Sequence, residues 1–95
     1  MRLNENKIKT IKKLSLELFN SNIVYLFGSR VDDSLRGGDI DLYIETTQKD
    51  NLLKSKIIFL REFEKEFEEQ KVDLLIDNKT KQKEIFEIAK KGIKL

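Results

Sequence analysis

Apolar residues recur at helical spacing in three parts of the chain. The first part runs from Asn4 to Asn20, and its apolar face consists of Ile8, Ile11, Leu14 and Leu18. The second begins within residues 48–51, and its predicted apolar stripe consists of Leu53, Ile57, Leu60, Phe63 or Glu64, and Phe67. The third follows the candidate capping residues Asn78 and Thr80, and it carries Ile85, Phe86, Ile88 and Ala89. The spacing therefore predicts three helices.

Three shorter segments have the pattern of strands. Residues Ile23–Phe27 form a β-branched and aromatic run whose length favours a buried strand. Residues 39–45 alternate polar and apolar side chains with period two, and residues 72–76 are mostly apolar. The order helix, strand, strand, helix, strand, helix predicts an α/β (α+β) fold, with a small mixed sheet and helices packed on it. At 95 residues, the chain is expected to form a single domain, 1–95.

Composition removes several classes of chemistry. The chain has no cysteine and no histidine, which excludes disulfides, thiolate nucleophiles, Ser-His-Asp triads and most transition-metal sites. The charged fraction is 38%, but the net charge is only +2, so nucleic acid is not an expected partner. The sequence has neither an apolar run of ~20 residues nor a signal-peptide pattern. We therefore expect a cytoplasmic protein without a membrane partner.

The first unusual feature is a pair of carboxylates on one strand. Asp39 and Asp41 stand at positions i and i+2, so both side chains point to the same face of the predicted sheet. Two carboxylates this close repel each other, and a hard cation such as Mg²⁺ or Mn²⁺ would offset that repulsion. A polar strand face that simply meets water would have the same pattern, so both interpretations remain open.

A third carboxylate, Asp73, lies within the otherwise apolar run of residues 72–76. If this strand runs beside the strand of Asp39 and Asp41, the three carboxylates converge. Such a set suits a pair of metal ions about 3.5–4 Å apart, as used for in-line phosphoryl transfer. The alternative is that Asp73 points to solvent on the outer face.

Gly28 and Ser29 end the first predicted strand. A glycine at this position allows backbone amides to approach an anion closely, Ser29 adds a hydroxyl, and Arg30 adds a charge that matches phosphate geometry. An ordinary strand-ending turn would have the same residues, and the segment lacks the P-loop pattern.

Taken together, these segments resemble the polymerase β-like nucleotidyltransferase superfamily. The family pattern is an apolar strand ending in Gly-Ser, a loop, Asp-x-Asp on the next strand and a later acidic residue on a third strand. In this chain the pattern reads Leu26-Phe27-Gly28-Ser29-Arg30, then Gly38-Asp39-Ile40-Asp41-Leu42, then Val72-Asp73-Leu74. The small size is similar to that of minimal nucleotidyltransferases, which consist of this domain alone.

The resemblance implies a role for each motif residue. Asp39 and Asp41 would ligate both of two Mg²⁺ (or Mn²⁺) ions, and Asp73 would ligate the ion that activates the attacking hydroxyl. Gly28 and Ser29 would hold the β- and γ-phosphates of a nucleoside triphosphate, with help from Arg30. The implied reaction transfers a nucleoside monophosphate, AMP from ATP in the leading case, and releases pyrophosphate.

The resemblance also implies a partner. Minimal nucleotidyltransferases are typically encoded beside a small all-helical HEPN-type protein, and they resemble antitoxins that adenylylate a tyrosine of that toxin. Two alternatives remain: a catalytically silent module that neutralises its partner by binding alone, and an enzyme that modifies a small-molecule hydroxyl. Both homo- and hetero-oligomers remain open.

Overall fold

The computed structural model describes residues 3–28, 39–68 and 70–95. The order of elements is α1 (Glu5–Phe19), β1 (Ile23–Phe27), β2 (Ile40–Glu45), α2 (Leu52–Glu66), β3 (Val72–Asp77), α3 (Glu84–Ala89) and β4 (Ile93–Lys94). The predicted sequence of three helices and three strands is confirmed. The two-residue strand β4 was missed, because a strand this short has no measurable periodicity. The predicted loop over residues 30–38 lies outside the described residues.

The four strands form one mixed sheet in the order β3-β2-β1-β4. Strand β2 runs antiparallel to β1 and parallel to β3, whereas β4 pairs antiparallel with β1. In this register Asp41 of β2 lies opposite Asp73 of β3 on one side and opposite Phe27 of β1 on the other. The two acidic strands are therefore neighbours, which is the condition under which their carboxylates can converge.

The alternation of side chains along the strands gives the sheet two different faces. The first face packs against α1 and α2 and forms the main core, which includes Ile11, Leu14, Phe19, Val24, Leu26, Ile40, Leu42, Ile44, Phe59, Phe63 and Leu74. The second face carries a smaller cluster in which Phe86 and Ala89 of α3 pack on Tyr43. Because α3 has only six residues, it leaves the end of this face near Asp41 and Asp73 less covered.

The ends of α1 follow from local polar groups. The side chain of Asn4 caps the helix by accepting a hydrogen bond of 2.9 Å from the backbone N–H of Lys7. At the other end Asn20 adopts a left-handed conformation with φ +50°, which ends the helix where the predicted first helix ends.

The predicted apolar stripe of α2 was wrong at its start but correct at its end, where Phe63 is buried and Leu60 and Phe67 pack partly buried against the core. The helix buries Ser55, Phe59 and Phe63, whereas Leu53 and Ile57 are 70% and 54% exposed. Apolar residues occur nearly all round α2, so two helical phases compete in the sequence. The observed phase buries two phenylalanine rings, which remove more apolar area from water than leucine and isoleucine would.

The third helix begins later than predicted. Asn78 and Thr80 do not cap it, because the two residues form a turn in which the Asn78 side chain accepts a 3.3 Å hydrogen bond from the backbone N–H of Thr80. The helix starts at Glu84 and buries Phe86 and Ala89.

Candidate active site

Asp41 is the central residue of the candidate site. It lies on β2, half-buried on the second face of the sheet, between its register partners Phe27 and Asp73. Residues Leu42 and Ile40 on either side are fully buried in the main core. The apolar neighbours therefore fix the strand, and period two directs the Asp41 carboxylate to the opposite face.

Asp41 and Asp73 are close enough to interact directly. Burial raises the pKa of Asp41 above its ordinary value of 3.8. The negative charges of Asp73 and Asp39, together with a hydrogen bond between the side chains of Asp41 and Asp73, raise the pKa of Asp41 further. The pair therefore resists carrying two negative charges unless a positive charge compensates them.

Asp73 and Asp39 are both exposed, in contrast to Asp41. Asp39 immediately precedes β2, and with Asp73 it lines a pocket of about 270 Å³ beside Glu64 and Lys71. Asp73 also lines a second pocket, of about 490 Å³, together with Asp41. Thus Asp73 lies between the two other carboxylates, although its exposure shows that the apolar strand does not bury it.

Gly28 lies against the Asp41 carboxylate. Its φ of +76° is in the left-handed region that favours glycine. A Cβ at this position would collide with Oδ2 of Asp41 and lie 3.1 Å from its Cγ. Only glycine therefore allows the strand-ending turn to come this close to the carboxylate. Ser29 and Arg30 lie outside the described residues, so their phosphate-binding roles stay predictions.

The carboxylate oxygens are the right donors for Mg²⁺ or Mn²⁺. Within residues 3–28, 39–68 and 70–95, no group of three or more acidic side chains is arranged to hold a metal ion. The structure thus brings Asp41 and Asp73 together and leaves Asp39 near them without completing a ligand set. The raised pKa of Asp41 is the effect expected where a cation would offset clustered negative charge. Metal ligation by Asp39, Asp41 and Asp73 stays a prediction.

Two neighbouring features were missed in the sequence. The Tyr43 hydroxyl donates a buried hydrogen bond of 2.6 Å to Oδ2 of Asp77, and the backbone N–H of Lys79 donates one of 2.9 Å to Oδ1. Burial, followed by the bond to Asp77, raises the pKa of Tyr43. Period two along β3 places Asp77 on the same face as Asp73, and this signal could have revealed it. Lys56 of α2 lines the larger carboxylate pocket, and no sequence signal pointed to it.

Comparison with protein families agrees with this geometry. Residues 6–95 match the family model described as "Polymerase beta, Nucleotidyltransferase". The chain therefore belongs to this nucleotidyltransferase family, and its α+β fold with a mixed four-stranded sheet is consistent with it. No curated protein shows a significant sequence match to the chain. In the part of the chain that the structure describes, no helix is both long and apolar enough to cross a membrane.

Proposed function

We propose that this nucleotidyltransferase transfers AMP from ATP to a hydroxyl group of a partner protein, and that the acceptor is a tyrosine of a small all-helical HEPN-type toxin. The chain would then act as the antitoxin of the pair. The observation that carries the nucleotidyl-transfer part is the Asp41–Asp73 pair packed against Gly28. The HEPN-type partner is proposed from the resemblance of the sequence to minimal nucleotidyltransferases.

Different residues of the site bind the phosphates and receive the acceptor hydroxyl in the proposed reaction. Gly28, with Ser29 and Arg30 after it, would hold the β- and γ-phosphates beside Asp41. Asp73 is exposed and is therefore the member of the pair that an incoming hydroxyl can reach. The hydroxyl oxygen bonds to the α-phosphorus, the bond to the bridging oxygen breaks, and pyrophosphate leaves. The hydroxyl proton passes to the neighbouring carboxylate of Asp73 and then to solvent.

The carboxylates explain a requirement for divalent cations. Asp39, Asp41 and Asp73 would hold two Mg²⁺ or Mn²⁺ ions, which supply positive charge for the phosphates and for the acceptor oxygen. Without them, the raised pKa of Asp41 disfavours the fully ionised pair. ATP with Mg²⁺ should therefore raise the melting temperature of the wild-type protein by mass action, and Asp41→Asn should lose most of that shift.

The proposed activity is tested with α-labelled ATP, Mg²⁺ and the HEPN-type partner. The wild-type protein and Asp50→Asn, which changes an exposed acid outside the site, should label the partner equally. Asp39→Ala, Asp41→Asn and Asp73→Asn should each reduce labelling by at least ~100-fold, since each removes charge that stabilises the transition state. Absence of label with the wild type, or equal label with Asp39→Ala, contradicts the proposal.

The alternative is a catalytically silent module that neutralises its partner by binding. The incomplete ligand set favours it, because among the described residues no three acidic side chains are arranged to hold a metal ion. The two functions are separated in cells that express the toxin. If the Asp41→Asn variant binds the toxin but no longer protects the cells, the result supports AMP transfer. If the variant still protects the cells fully, the result supports the silent module.

A further inference from the structure

The larger carboxylate pocket runs beside β3, the edge strand of the sheet that the described residues form. It has a volume of about 490 Å³, and three of its lining residues are charged: Asp41, Asp73 and Lys56. The other lining residues are apolar and come from all three layers of the fold: Phe27, Leu60, Val72, Leu74, Leu75 and Ile85. The space is within the range typical of ligand pockets, and its polar end is the carboxylate pair.

This combination suits an aromatic hydroxyl better than a sugar hydroxyl. A tyrosine side chain has an apolar ring and a polar tip, so its ring would contact Phe27, Leu75 and Ile85 while its oxygen approaches Asp73. A sugar would place several hydroxyls against the apolar wall without hydrogen-bond partners, which is costly.

Lys56 is the basic residue of this pocket. It is half-buried, and among the described residues it has no hydrogen bond or ion pair, although two carboxylates share its pocket. A partly desolvated cation without a partner is unfavourable by itself, and an anionic ligand group would compensate it. Lys54, two residues earlier, is exposed and is not among the lining residues of this pocket. Lys56 is therefore the lysine of α2 placed to act on a ligand in the pocket.

The surface around the pocket is apolar on both sides. On α2, Leu53 and Ile57 are exposed within one turn of Lys56, and on α3, Ile85 and Ile88 are exposed. Among the described residues, Leu16 is the other large hydrophobic side chain that is exposed. An apolar surface beside the Lys56 cation fits a protein segment with apolar and acidic residues.

We propose that the acceptor is a tyrosine in a protein segment that carries apolar residues and an acidic residue next to the tyrosine. The acid pairs with Lys56, and the apolar residues pack on the α2 and α3 surfaces. Lys56 is a positioning residue, because it fixes the acceptor without touching the reacting atoms. This inference rests on the proposed function and adds the chemistry of the segment that enters the site.

The experiment uses three synthetic peptides that differ only beside a central tyrosine, which is flanked by leucines and by Glu, Gln or Lys. Binding is measured by fluorescence anisotropy without ATP, and AMP transfer is measured separately with ATP and Mg²⁺. The wild-type protein should bind the Glu peptide about tenfold more tightly than the Lys peptide. Lys56→Glu should reverse this order, and Lys56→Met should abolish it. In both variants the KM for ATP should stay unchanged.

Matched controls separate Lys56 and the apolar patch from general effects. Lys54→Glu makes the same charge change on the same helix and should leave the peptide order unchanged. Ile57→Ser should weaken binding of all three peptides, whereas Leu16→Ser, an equally exposed position on α1, should not. Circular dichroism checks that each variant is folded.

Several results would overturn the inference. One is a rise in the KM for ATP in Lys56→Met, which would assign Lys56 to the nucleotide. Another is an equal effect of Lys54→Glu, and a third is equal binding, or no binding, of the three peptides. Charge-selective binding without AMP transfer would contradict the proposed function and support the docking surface. AMP transfer without charge-selective binding would support the proposed function and contradict the docking surface.

Discussion

Asp73 and Asp77 lie on the same strand and the same face of the sheet, yet their surroundings differ. Asp77 is 5% exposed, and its two oxygens accept hydrogen bonds from the Tyr43 hydroxyl and the Lys79 backbone. Asp73 is exposed, and its neighbour in register is another carboxylate, Asp41. Even the register partner of Asp77, Glu45, is compensated, because it forms an ion pair with Lys79.

This difference in surroundings gives Asp77 a structural role and places Asp73 for a chemical one. At the Asp77 end the fold supplies a hydrogen-bond donor to each carboxylate oxygen, so the buried side chain is satisfied. At the Asp73 end the fold adds like charge and burial, which raise the pKa of Asp41. The Asp41–Asp73 pair therefore lowers the stability of the fold at the end of the sheet where function is expected. Single substitutions can test this contrast with Asp77.

The largest effect is expected from Asp77→Ala. This change leaves the Tyr43 hydroxyl and the Lys79 N–H without their acceptor, and we expect the free energy of unfolding to fall by about 2–3 kcal/mol. Asp73→Ala, four residues earlier on the same face, should change it by less than ~0.5 kcal/mol. Urea denaturation of both variants measures the contrast, and equal losses would contradict it.

Gly28→Ala should have the next largest effect, about 2 kcal/mol, because it combines a positive φ with a collision against Asp41. A double-mutant cycle with Asp41→Ala separates the two causes. With the carboxylate absent, the cost of Gly28→Ala should fall to about 1 kcal/mol, the cost of the backbone conformation alone. Unchanged cost in the double variant would show that the collision is relieved by other means.

Tyr43→Phe should reduce stability by about 1 kcal/mol, since it removes the hydroxyl that donates to Asp77. Tyr25 provides the control, because its ring stacks on Tyr43 at 5.9 Å, yet no hydrogen bond of its hydroxyl occurs among the described residues. Tyr25→Phe should therefore cost less than ~0.5 kcal/mol. Comparable losses in thermal unfolding would mean that the hydrogen bond from Tyr43 to Asp77 contributes no stability of its own.

The smallest change is expected from Asp41→Asn, and it should be a gain in stability. The pKa of Asp41 is higher in the folded chain than its ordinary value of 3.8, so the folded state binds its proton more tightly than the unfolded state does. Stability therefore falls as the pH rises from about 3.8 through the folded pKa. Asp41→Asn should lose this part of the pH dependence, whereas Asp50→Asn should retain it.

That comparison requires a chelator, because a bound cation would favour the ionised carboxylates. Unfolding curves at several pH values from 3 to 8 give the difference between the wild type and each variant. A wild-type protein that gains stability over Asp41→Asn as the pH rises would contradict the assignment.

The sequence predicted the strands and the acidic neighbours because period two assigns each side chain to a face. Asp41 and Asp73 follow directly from that rule once their strands are adjacent. The start of the α2 stripe did not follow, because apolar residues occupy both candidate faces there, and the choice depends on how Phe59 packs against Phe19 and Phe63.

The polar partners could not be predicted for a different reason. The pairing of Tyr43 with Asp77 and the position of Lys56 depend on distances between elements far apart in the chain, and local patterns carry no information on them. Asp77 also stands at the end of its strand, where the limits of elements are least certain.

The contact between Gly28 and Asp41 also restricts the order in which the site can be lost during evolution. While the carboxylate is present, any side chain at position 28 collides with it. A substitution that shortens Asp41 removes that collision and leaves only the cost of the positive φ, so position 28 tolerates change more readily afterwards. Descendants that retain Asp41 but lack Gly28 should be rare, whereas those that lack Asp41 and retain Gly28 mark the first step of decay.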